Sequence, residues 1–229
     1  MAISDTTRTQ MREVLDRYPQ KRSALMPLLH LVQADEGHIS AEGLREVADL
    51  IDLTEAEVTA VSTFYTMYLR RTSGRVRIGV CVNSLCAVLG GDEIWESLVD
   101  HCGVDNNETT EDGTVTLERI ECQAACTHAP VMTANWEFLD DMTVAKARQV
   151  VDDVRAGRPV HSTRGPVVRT FPEAERTIAG VDDGLTAEGD HRDDRMLVGL
   201  RLAQSNGDLE RSDDAQAAAA RNRATTEGH

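Results

Sequence analysis

All five cysteines of this 229-residue chain lie between positions 81 and 126. Four of them form two close pairs, Cys81-x4-Cys86 and Cys122-x3-Cys126, which are separated by 35 residues. The N-terminal sequence MAISDTTRTQMREV lacks the apolar segment of a signal peptide, which predicts a cytosolic protein. Because thiols stay reduced in the cytosol, a confined group of this kind favours metal binding or catalysis over structural disulfides.

The spacing within each pair narrows the choice of metal. Zinc sites usually place two residues between paired cysteines, and neither pair here has that spacing. The wider loops suit a binuclear iron–sulfur cluster, in which each of two irons takes two thiolates. The plant-type ferredoxin pattern is absent, because no cysteine follows Cys86 at three residues. The spacing therefore favours an iron–sulfur site, and a zinc-stapled interaction module stays open as an alternative.

Two further residues could be mistaken for ligands. Cys126-Thr127-His128 resembles half of a Rieske site, but that site needs a second cysteine and histidine pair, and no cysteine follows Cys126. We therefore expect His128 to face solvent or to form a hydrogen bond rather than to bind metal. Cys102 is the cysteine between the pairs, and we expect it to be a buried small apolar residue.

Composition excludes several classes of partner. The chain carries 24 Lys and Arg against 39 Asp and Glu, a formal net charge of −15. That balance argues against nucleic acid or an anionic membrane, since both select clustered positive charge. No apolar stretch reaches the roughly 18 residues of a membrane-spanning helix, so no direct membrane insertion is expected. Neither G-x-G-x-x-G nor the P-loop pattern occurs, so the chain is not expected to hold a nucleotide itself.

Residues 1–72 are predicted to form a small helical bundle. Apolar residues recur there at helical spacing, and the segments are bounded by capping signals. Ser40 can cap one helix, Thr54 with Glu57 is a capping box for the next, and Gly37 is expected to end the second.

Residues 73–158 are predicted to form an α+β domain. At Arg75 the apolar period changes from 3.6 to 2, which indicates a strand that ends just before Cys81. A helix beginning near Asp92, a strand ending near Ile120, a hairpin and a final helix capped by Thr143 are expected to follow. The pair Gly90-Gly91 is interpreted as room for backbone near a metal cluster rather than as a phosphate-binding loop.

The residues around the cysteine pairs carry a family resemblance. The segments VCVNSLCAVLGG (80–91) and ECQAACTHAPVMTANWEFLDDMT (121–143) resemble the 24 kDa-type subunit of NADH-quinone oxidoreductase, the E subunit of bacterial respiratory complex I. The resemblance covers about residues 10–158 and implies a thioredoxin-like [2Fe–2S] domain after the helical bundle. It also implies four cluster ligands: Cys81, Cys86, Cys122 and Cys126. The second motif departs from the family in reading Cys-Gln-Ala-Ala-Cys, where a glycine usually precedes the last cysteine.

The resemblance implies an electron carrier that is not catalytic alone but works as a subunit of NADH:quinone oxidoreductase. Its partners would be a flavoprotein subunit that binds NADH and FMN, and the large iron–sulfur subunit of complex I. Hydride would pass to the flavin in the partner, and the [2Fe–2S] cluster would take one electron from it. The subunit would lie in the peripheral arm on the cytoplasmic side of the membrane. The equivalent subunit of a NAD-dependent formate dehydrogenase or NAD-reducing hydrogenase stays open as an alternative.

Residues 159–229 lie outside the resemblance. From 160 onwards the chain holds 9 Lys and Arg against 13 Asp and Glu, and Phe171 is its one aromatic residue. So little apolar surface cannot offset roughly 1–2 kcal/mol of backbone entropy per residue. We therefore expect an acidic, mostly irregular extension that forms no third domain and lies over neighbouring subunits as a strap. Short helices are expected at 196–203 and 215–221, with three leucines as the anchor of the strap: Leu197, Leu200 and Leu202.

Overall fold

A computed structural model describes residues 3–182 and 194–208 of the chain. The helices of the described residues are, in chain order, α1 (Asp5–Leu15), α2 (Leu25–Glu36), α3 (Ala41–Ile51), α4 (Glu55–Phe64), α5 (Ser84–Val88), α6 (Gly91–Cys102), α7 (Val144–Arg155), α8 (Phe171–Ile178) and α9 (Asp194–Ser205). The strands are β1 (Val76–Cys81), β2 (Val115–Ile120), β3 (Met132–Ala134) and β4 (Glu137–Leu139). The predicted α+β class, with helices first and a mixed domain after them, is confirmed.

Helices α1–α4 form the helical half of the molecule, and the predicted capping signals bound them. The Ser40 hydroxyl accepts the Gly43 N–H at the start of α3, and the capping box of Thr54 and Glu57 begins α4. Gly37 ends α2 in the left-handed conformation, at φ 76°, which glycine adopts at little cost. Their apolar faces meet in one core, in which α2 is the central helix and has both Leu28 and Leu29 fully buried.

The four strands form one sheet in the order β2-β1-β3-β4. Strands β1 and β2 are parallel and are joined through α5 and α6, whereas β3 pairs antiparallel with both β1 and β4. The predicted hairpin is therefore present as β3–β4. Strand β1 extends one residue further than predicted, through Cys81, because Cys81 donates its N–H to the Val131 carbonyl at 3.1 Å.

Helices α6 and α7 cover one face of the sheet. We call the sheet and these two helices the sheet half of the molecule. The alternating apolar residues of β1, Val76, Ile78 and Val80, point to this face and are buried. They pack against residues that recur at helical spacing on α6 and α7, including Ile94 and Val151. The period of 2 in the strand and of 3.6 in the helices thus predicts the faces that form this core.

The first part of the C-terminal extension differs from the prediction. Residues 160–182 lie in the same compact unit as the residues before them, and α8 packs against α2 of the helical half. A capping box of Thr170 and Glu173 begins α8, and the Phe171 side chain is 2% exposed. The prediction of an irregular segment was wrong here because it weighed apolar area alone. Helix capping and buried polar pairing stabilise α8 in addition to its few apolar contacts.

The second part of the extension lies in a separate compact unit, of which residues 194–208 are described. Helix α9 covers the predicted segment 196–203 and confirms it as helical. The side chains of Leu200 and Leu202 are exposed, and Leu197 is half-buried. The helix expected at 215–221 lies outside the described residues. Within residues 3–182 and 194–208, every helix is too short or too polar to cross a membrane.

Candidate metal centre

Sheet topology brings the two cysteine pairs together. Strand β1 ends at Cys81, which lies opposite Ile120, the last residue of the parallel strand β2. Cys122 therefore follows the end of the neighbouring strand by two residues. Because parallel strands end at the same edge of a sheet, the loop that holds Cys86 and the loop that holds Cys126 meet there. The two pairs, which are separated by 35 residues in the sequence, are therefore neighbours in the fold.

The first pair is buried. Cys81 is 2% exposed and Cys86 3%, and both contact the buried Val131. Cys86 lies within α5, a five-residue helix that the sequence analysis missed because one turn and a half shows no hydrophobic period. Burial raises the pKa of the Cys86 thiol to about 11, with a further contribution from a hydrogen bond to the Cys81 side chain. Loss of that proton therefore needs a counter-charge, which a bound metal supplies.

The second pair is exposed. The sulfurs of Cys122 and Cys126 lie 3.6 Å apart on the loop that follows β2. Metal–sulfur bonds of about 2.3 Å at a tetrahedral centre place two thiolates about 3.8 Å apart, so the separation of this pair is close to the one that a tetrahedral metal needs. The hydrogen bond with Cys122 and its charge raise the pKa of Cys126, and the charge of Cys81 adds to this effect. The first and second pairs are therefore close enough for the charge of Cys81 to act on Cys126.

The donor set fits a binuclear cluster. The four thiols form two pairs, one buried and one exposed. A [2Fe–2S] cluster takes four thiolates, two on each iron, which is this donor set.

Gly91 is the point where α6 packs against the first loop. A Cβ atom at this position would lie 2.6 Å from the Cys81 carbonyl oxygen and 2.8 Å from the Cys86 carbonyl oxygen. Gly90 has a φ of 110°, which side chains rarely adopt, and has open space where its Cβ would be. The close approach of backbone that was expected at this glycine pair is present at Gly91, beside the first cysteine loop. Gly91 provides the room for it, and Gly90 provides the turn.

Asn83 connects the two loops and was missed from the sequence. Its Oδ1 accepts the Cys122 N–H at 3.0 Å, and its Nδ2 donates to the Glu121 carboxylate at 3.0 Å. It precedes α5 at the N-cap position, where an asparagine usually caps its own helix, but its side chain makes no such bond. The position of Asn83 in the sequence is thus typical of a residue that caps its own helix. In the structure its side chain instead bonds residues of the second cysteine loop, across the edge of the sheet.

An exposed apolar surface lies beside Cys86. Leu85 and Val88 of α5, with the following Leu89, are 45%, 82% and 52% exposed, and we call them the α5 patch. Residues 82–91 include no Asp, Glu, Lys or Arg, although charged residues make up 28% of the chain. Helix α5 therefore presents an uncharged surface on the loop that holds half of the thiols.

The two residues that were not predicted as ligands lie outside the thiol pairs. Of the two alternatives expected for His128, solvent exposure does not hold, because the residue is 6% exposed. Its Nδ1 instead lies 3.6 Å from the Asp141 carboxylate, a polar contact within the protein. Cys102 is half-buried against the core between the sheet, α6 and α7. Burial raises the pKa of its thiol, as expected for a cysteine that packs as an apolar residue.

Comparison with known proteins agrees with this geometry. Residues 11–155 match the thioredoxin-like [2Fe–2S] ferredoxin family. The chain is 48% identical over 196 residues to the E subunit of NADH-quinone oxidoreductase from Mycobacterium tuberculosis, covering 85% of this chain and 78% of that one. It is 32% identical over 169 residues to NADH-quinone oxidoreductase subunit 2 of Thermus thermophilus, covering 72% and 93%.

Among solved structures, the air-oxidized NAD⁺-reducing [NiFe]-hydrogenase shares the fold, with a TM-score of 0.53 at 17% identity. The match covers 58% of this chain and 23% of that chain, and it shows a common fold alone. The resemblance seen in the sequence is confirmed by the family match and by the relatives at 48% and 32% identity. The chain belongs to the thioredoxin-like [2Fe–2S] ferredoxin family, among the E subunits of NADH-quinone oxidoreductase.

Proposed function

We propose that this chain is an electron-transfer subunit of an NADH-quinone oxidoreductase, in which Cys81, Cys86, Cys122 and Cys126 hold a [2Fe–2S] cluster. The observation that carries the proposal is the meeting of two thiol pairs at one sheet edge in a member of this family. When bound, the cluster supplies one-electron chemistry. The chain alone turns over no substrate.

The residues of the site would have different roles in holding such a cluster. The buried pair, Cys81 and Cys86, keeps one side of the site away from water. The exposed pair leaves the other side open to a donor or acceptor. Asn83 holds the loops together, and Gly91 lets α6 approach them. Local burial and amide hydrogen bonds of this kind set the reduction potential of an iron–sulfur site.

The α5 patch supports a protein partner at the same face. Three exposed aliphatic side chains beside a redox site favour a docking surface over a solvated one, because burying them removes apolar area from water. In the proposed assembly the partner is the flavoprotein subunit that binds NADH and FMN. The large iron–sulfur subunit is the second proposed neighbour, and the assembly would be the peripheral arm of complex I on the cytoplasmic side of the membrane.

The other interpretations are separated by simple measurements. Similarity to the NAD⁺-reducing hydrogenase extends to the fold alone, whereas the relatives at 48% and 32% identity are named as NADH-quinone oxidoreductase subunits. Metal and sulfide analysis of the purified chain tests the site, and we expect about two irons and two sulfides per chain with visible absorption. One zinc per chain and no colour would support the zinc-stapled module and overturn the proposal.

Docking is tested by titrating the loaded chain with the flavoprotein subunit from the same organism. Val88→Glu places a charge in the centre of the α5 patch and is expected to weaken binding at least about tenfold, or 1.4 kcal/mol. Ile178→Glu is the control, because Ile178 is an exposed aliphatic residue of α8, the helix that packs against α2. Equal affinities for both variants, with unchanged visible spectra, would argue against the α5 patch as the docking surface.

A further inference from the structure

The two halves of the molecule make few direct contacts. Helices α1–α4 pack on one another, and none of them packs extensively on a described strand or on α6 or α7. The described element outside the helical half on which α2 does pack extensively is α8. Helix α8 lies beyond the sheet half in sequence, so the chain leaves the sheet half and returns to the helical half.

One end of this returning segment is fixed to the sheet half. The Asn135 side chain, at the turn between β3 and β4, donates to the Arg169 carbonyl at 2.7 Å. Phe171 donates its N–H to the Arg75 carbonyl at 2.9 Å, and its ring lies 5.5 Å from the ring of Trp136. Phe171 is almost fully buried, which excludes water from this contact.

An earlier part of the segment adds two further attachments to the sheet half. The guanidinium of Arg164 donates to both oxygens of the Asp140 carboxylate, at 2.9 and 3.2 Å, and stacks over the Phe138 ring at 3.8 Å. Val160 is buried in the core of the sheet half, and Val168 packs against that core. Residues 160–171 are therefore held along the sheet half by polar and apolar contacts.

The other end is fixed to the helical half. Glu175 is fully buried, and its Oε2 lies 2.6 Å from Nδ1 of the buried His30 on α2. The His30 ring lies 4.8 Å from the ring of Tyr68, which follows α4, and burial with the Glu175 charge raises the pKa of Tyr68. Beyond α8, the Gly180 carbonyl accepts a hydrogen bond from Arg17 at 2.5 Å.

We infer that residues 160–182 form a clamp that fixes the helical half to the sheet half, and that Glu175 is its buried lock on His30. Both side chains of the lock are buried, so losing the contact leaves a polar group in the core without the partner that offsets its desolvation. The clamp explains how this part of an extension with one aromatic residue is ordered. The inference does not depend on the proposed function, because it concerns contacts within one chain.

The test cuts the chain between the two halves and measures whether the clamp keeps them together. A specific protease site is inserted into the full chain between Arg71 and Thr72, two exposed residues between α4 and β1. After cleavage, residues 1–71 can stay with the rest only through non-covalent contacts. We expect the cleaved chain to elute as one species in size-exclusion chromatography in native buffer. Separation of the two fragments would overturn the proposal.

Variants then test the lock. Glu175→Ala is expected to weaken retention of the cleaved fragment at least about tenfold, and Glu175→Gln, which keeps a hydrogen-bonding group beside His30, to restore part of it. Glu13→Ala, the same change at an exposed position of α1, is the matched control and should leave retention unchanged. Circular dichroism and the visible spectrum before cleavage show that each variant is folded. Equal retention by Glu175→Ala and Glu13→Ala would reject Glu175 as the lock.

Arg17→Ala gives an independent arm if Glu175→Ala does not fold. Arg17 is exposed, and its hydrogen bond to the clamp ends at the Gly180 carbonyl, so its loss should spare folding. We expect a measurable, roughly two- to threefold, weakening of fragment retention. Retention equal to that of the unchanged cleaved chain would show that the clamp does not extend beyond α8.

Discussion

The two cysteine loops are positioned in different ways. Both thiols of the loop of Cys81 and Cys86 are buried, and this loop begins inside a strand and packs against α6 at Gly91. The loop of Cys122 and Cys126 is exposed and lies beyond the end of its strand. The first loop is positioned by the core of the protein, whereas the second is positioned by a side chain that reaches across from the first.

The difference indicates where each loop gets its stability. The first loop is held where its buried thiols pack, so we expect it to lose rigidity when that packing is disturbed. The second loop depends on single hydrogen bonds such as the one from the Cys122 N–H to Asn83 and, in the proposed function, on the cluster that its thiols would help to hold. We therefore expect changes in the first loop to cost more than equivalent changes in the second.

The largest effect is expected from serine in place of a ligand. Cys86→Ser should abolish cluster incorporation, because an alkoxide is a harder ligand than a thiolate and this one would be buried. Cys122→Ser should retain a minor fraction of perturbed cluster, since solvent reaches that side of the site. Cys102→Ser is the control and should keep about two irons per chain. Iron and sulfide analysis with visible spectroscopy checks all three variants.

Loss of iron from Cys102→Ser, or normal iron in Cys126→Ser, would show that the ligands are assigned wrongly. Equal cluster content in Cys86→Ser and Cys122→Ser would leave the assignment intact. That result would instead contradict the expectation that the first loop is more sensitive to substitution than the second.

Thiol labelling of the cluster-free chain should separate the loops next. The raised pKa of Cys86, about 11 against an ordinary 9.0, leaves about a hundredfold less thiolate at a given pH below both values. We expect iodoacetamide to modify Cys86 at least about tenfold more slowly in the folded chain than in urea, because the greater nucleophilicity of a more basic thiolate offsets part of this loss. Cys122 should react at similar rates in both, because it is exposed. Mass spectrometry of pulse-labelled peptides measures both rates, and similar ratios for the two residues would contradict the burial difference.

Gly91→Ala tests the packing of the first loop. The added Cβ would lie within 2.8 Å of two backbone oxygens, so the loop or α6 must shift. We expect a loss of about 2–3 kcal/mol in the free energy of unfolding. Gly199→Ala in helix α9 is the control: Gly199 has open space for a Cβ and no left-handed φ, so the added methyl group should cost nothing. Urea denaturation of both variants checks the difference, and equal effects of Gly91→Ala and Gly199→Ala would contradict the close approach at Gly91.

Local sequence signals predicted much of this structure. The capping residues Ser40 and Thr54 begin helices where expected, and the change of period at Arg75 indicates the first strand. The cysteine spacing with the family resemblance selected four thiols that the sheet does bring to one edge. These signals succeed because each one acts over a few residues, or because a strand and its faces follow from a simple period.

The missed features depend on pairing between distant residues. Asn83 bonds to residues 38 and 39 positions away, and its role follows from the register of β1 and β2. Glu175 meets His30 over 145 residues of sequence. A local signal for α8 was present in Thr170-Phe171-Pro172-Glu173, a capping box with an early proline, but its attachment to α2 could not be predicted from it.

Asn83→Ala tests how the second loop is held. The substitution removes the acceptor of the Cys122 N–H, and we expect a loss of about 1–2 kcal/mol in stability with faster removal of iron by a chelator. Gln123→Ala is the control, because the Gln123 side chain donates to the Glu121 carbonyl on the same exposed loop. If both variants release iron at the same rate, Asn83 does not connect the loops as proposed.

The smallest effect should come from the backbone of the second loop. Ala124 has a φ of 56°, a left-handed conformation that costs a residue with a Cβ roughly 1 kcal/mol, whereas Ala125 has an ordinary φ of −102°. Ala124→Gly is therefore expected to stabilise the chain by up to about 0.5 kcal/mol, because the relief of strain exceeds or balances the entropy that glycine gains in the unfolded chain. Ala125→Gly should destabilise it by about 0.5–1 kcal/mol, because only that entropy changes. Urea denaturation of the two glycine variants compares neighbouring positions of one exposed loop. Stabilisation by Ala124→Gly with destabilisation by Ala125→Gly would show that the backbone of Ala124 is strained in the folded loop. Destabilisation by both substitutions would show that the backbone of Ala124 lies outside the left-handed region.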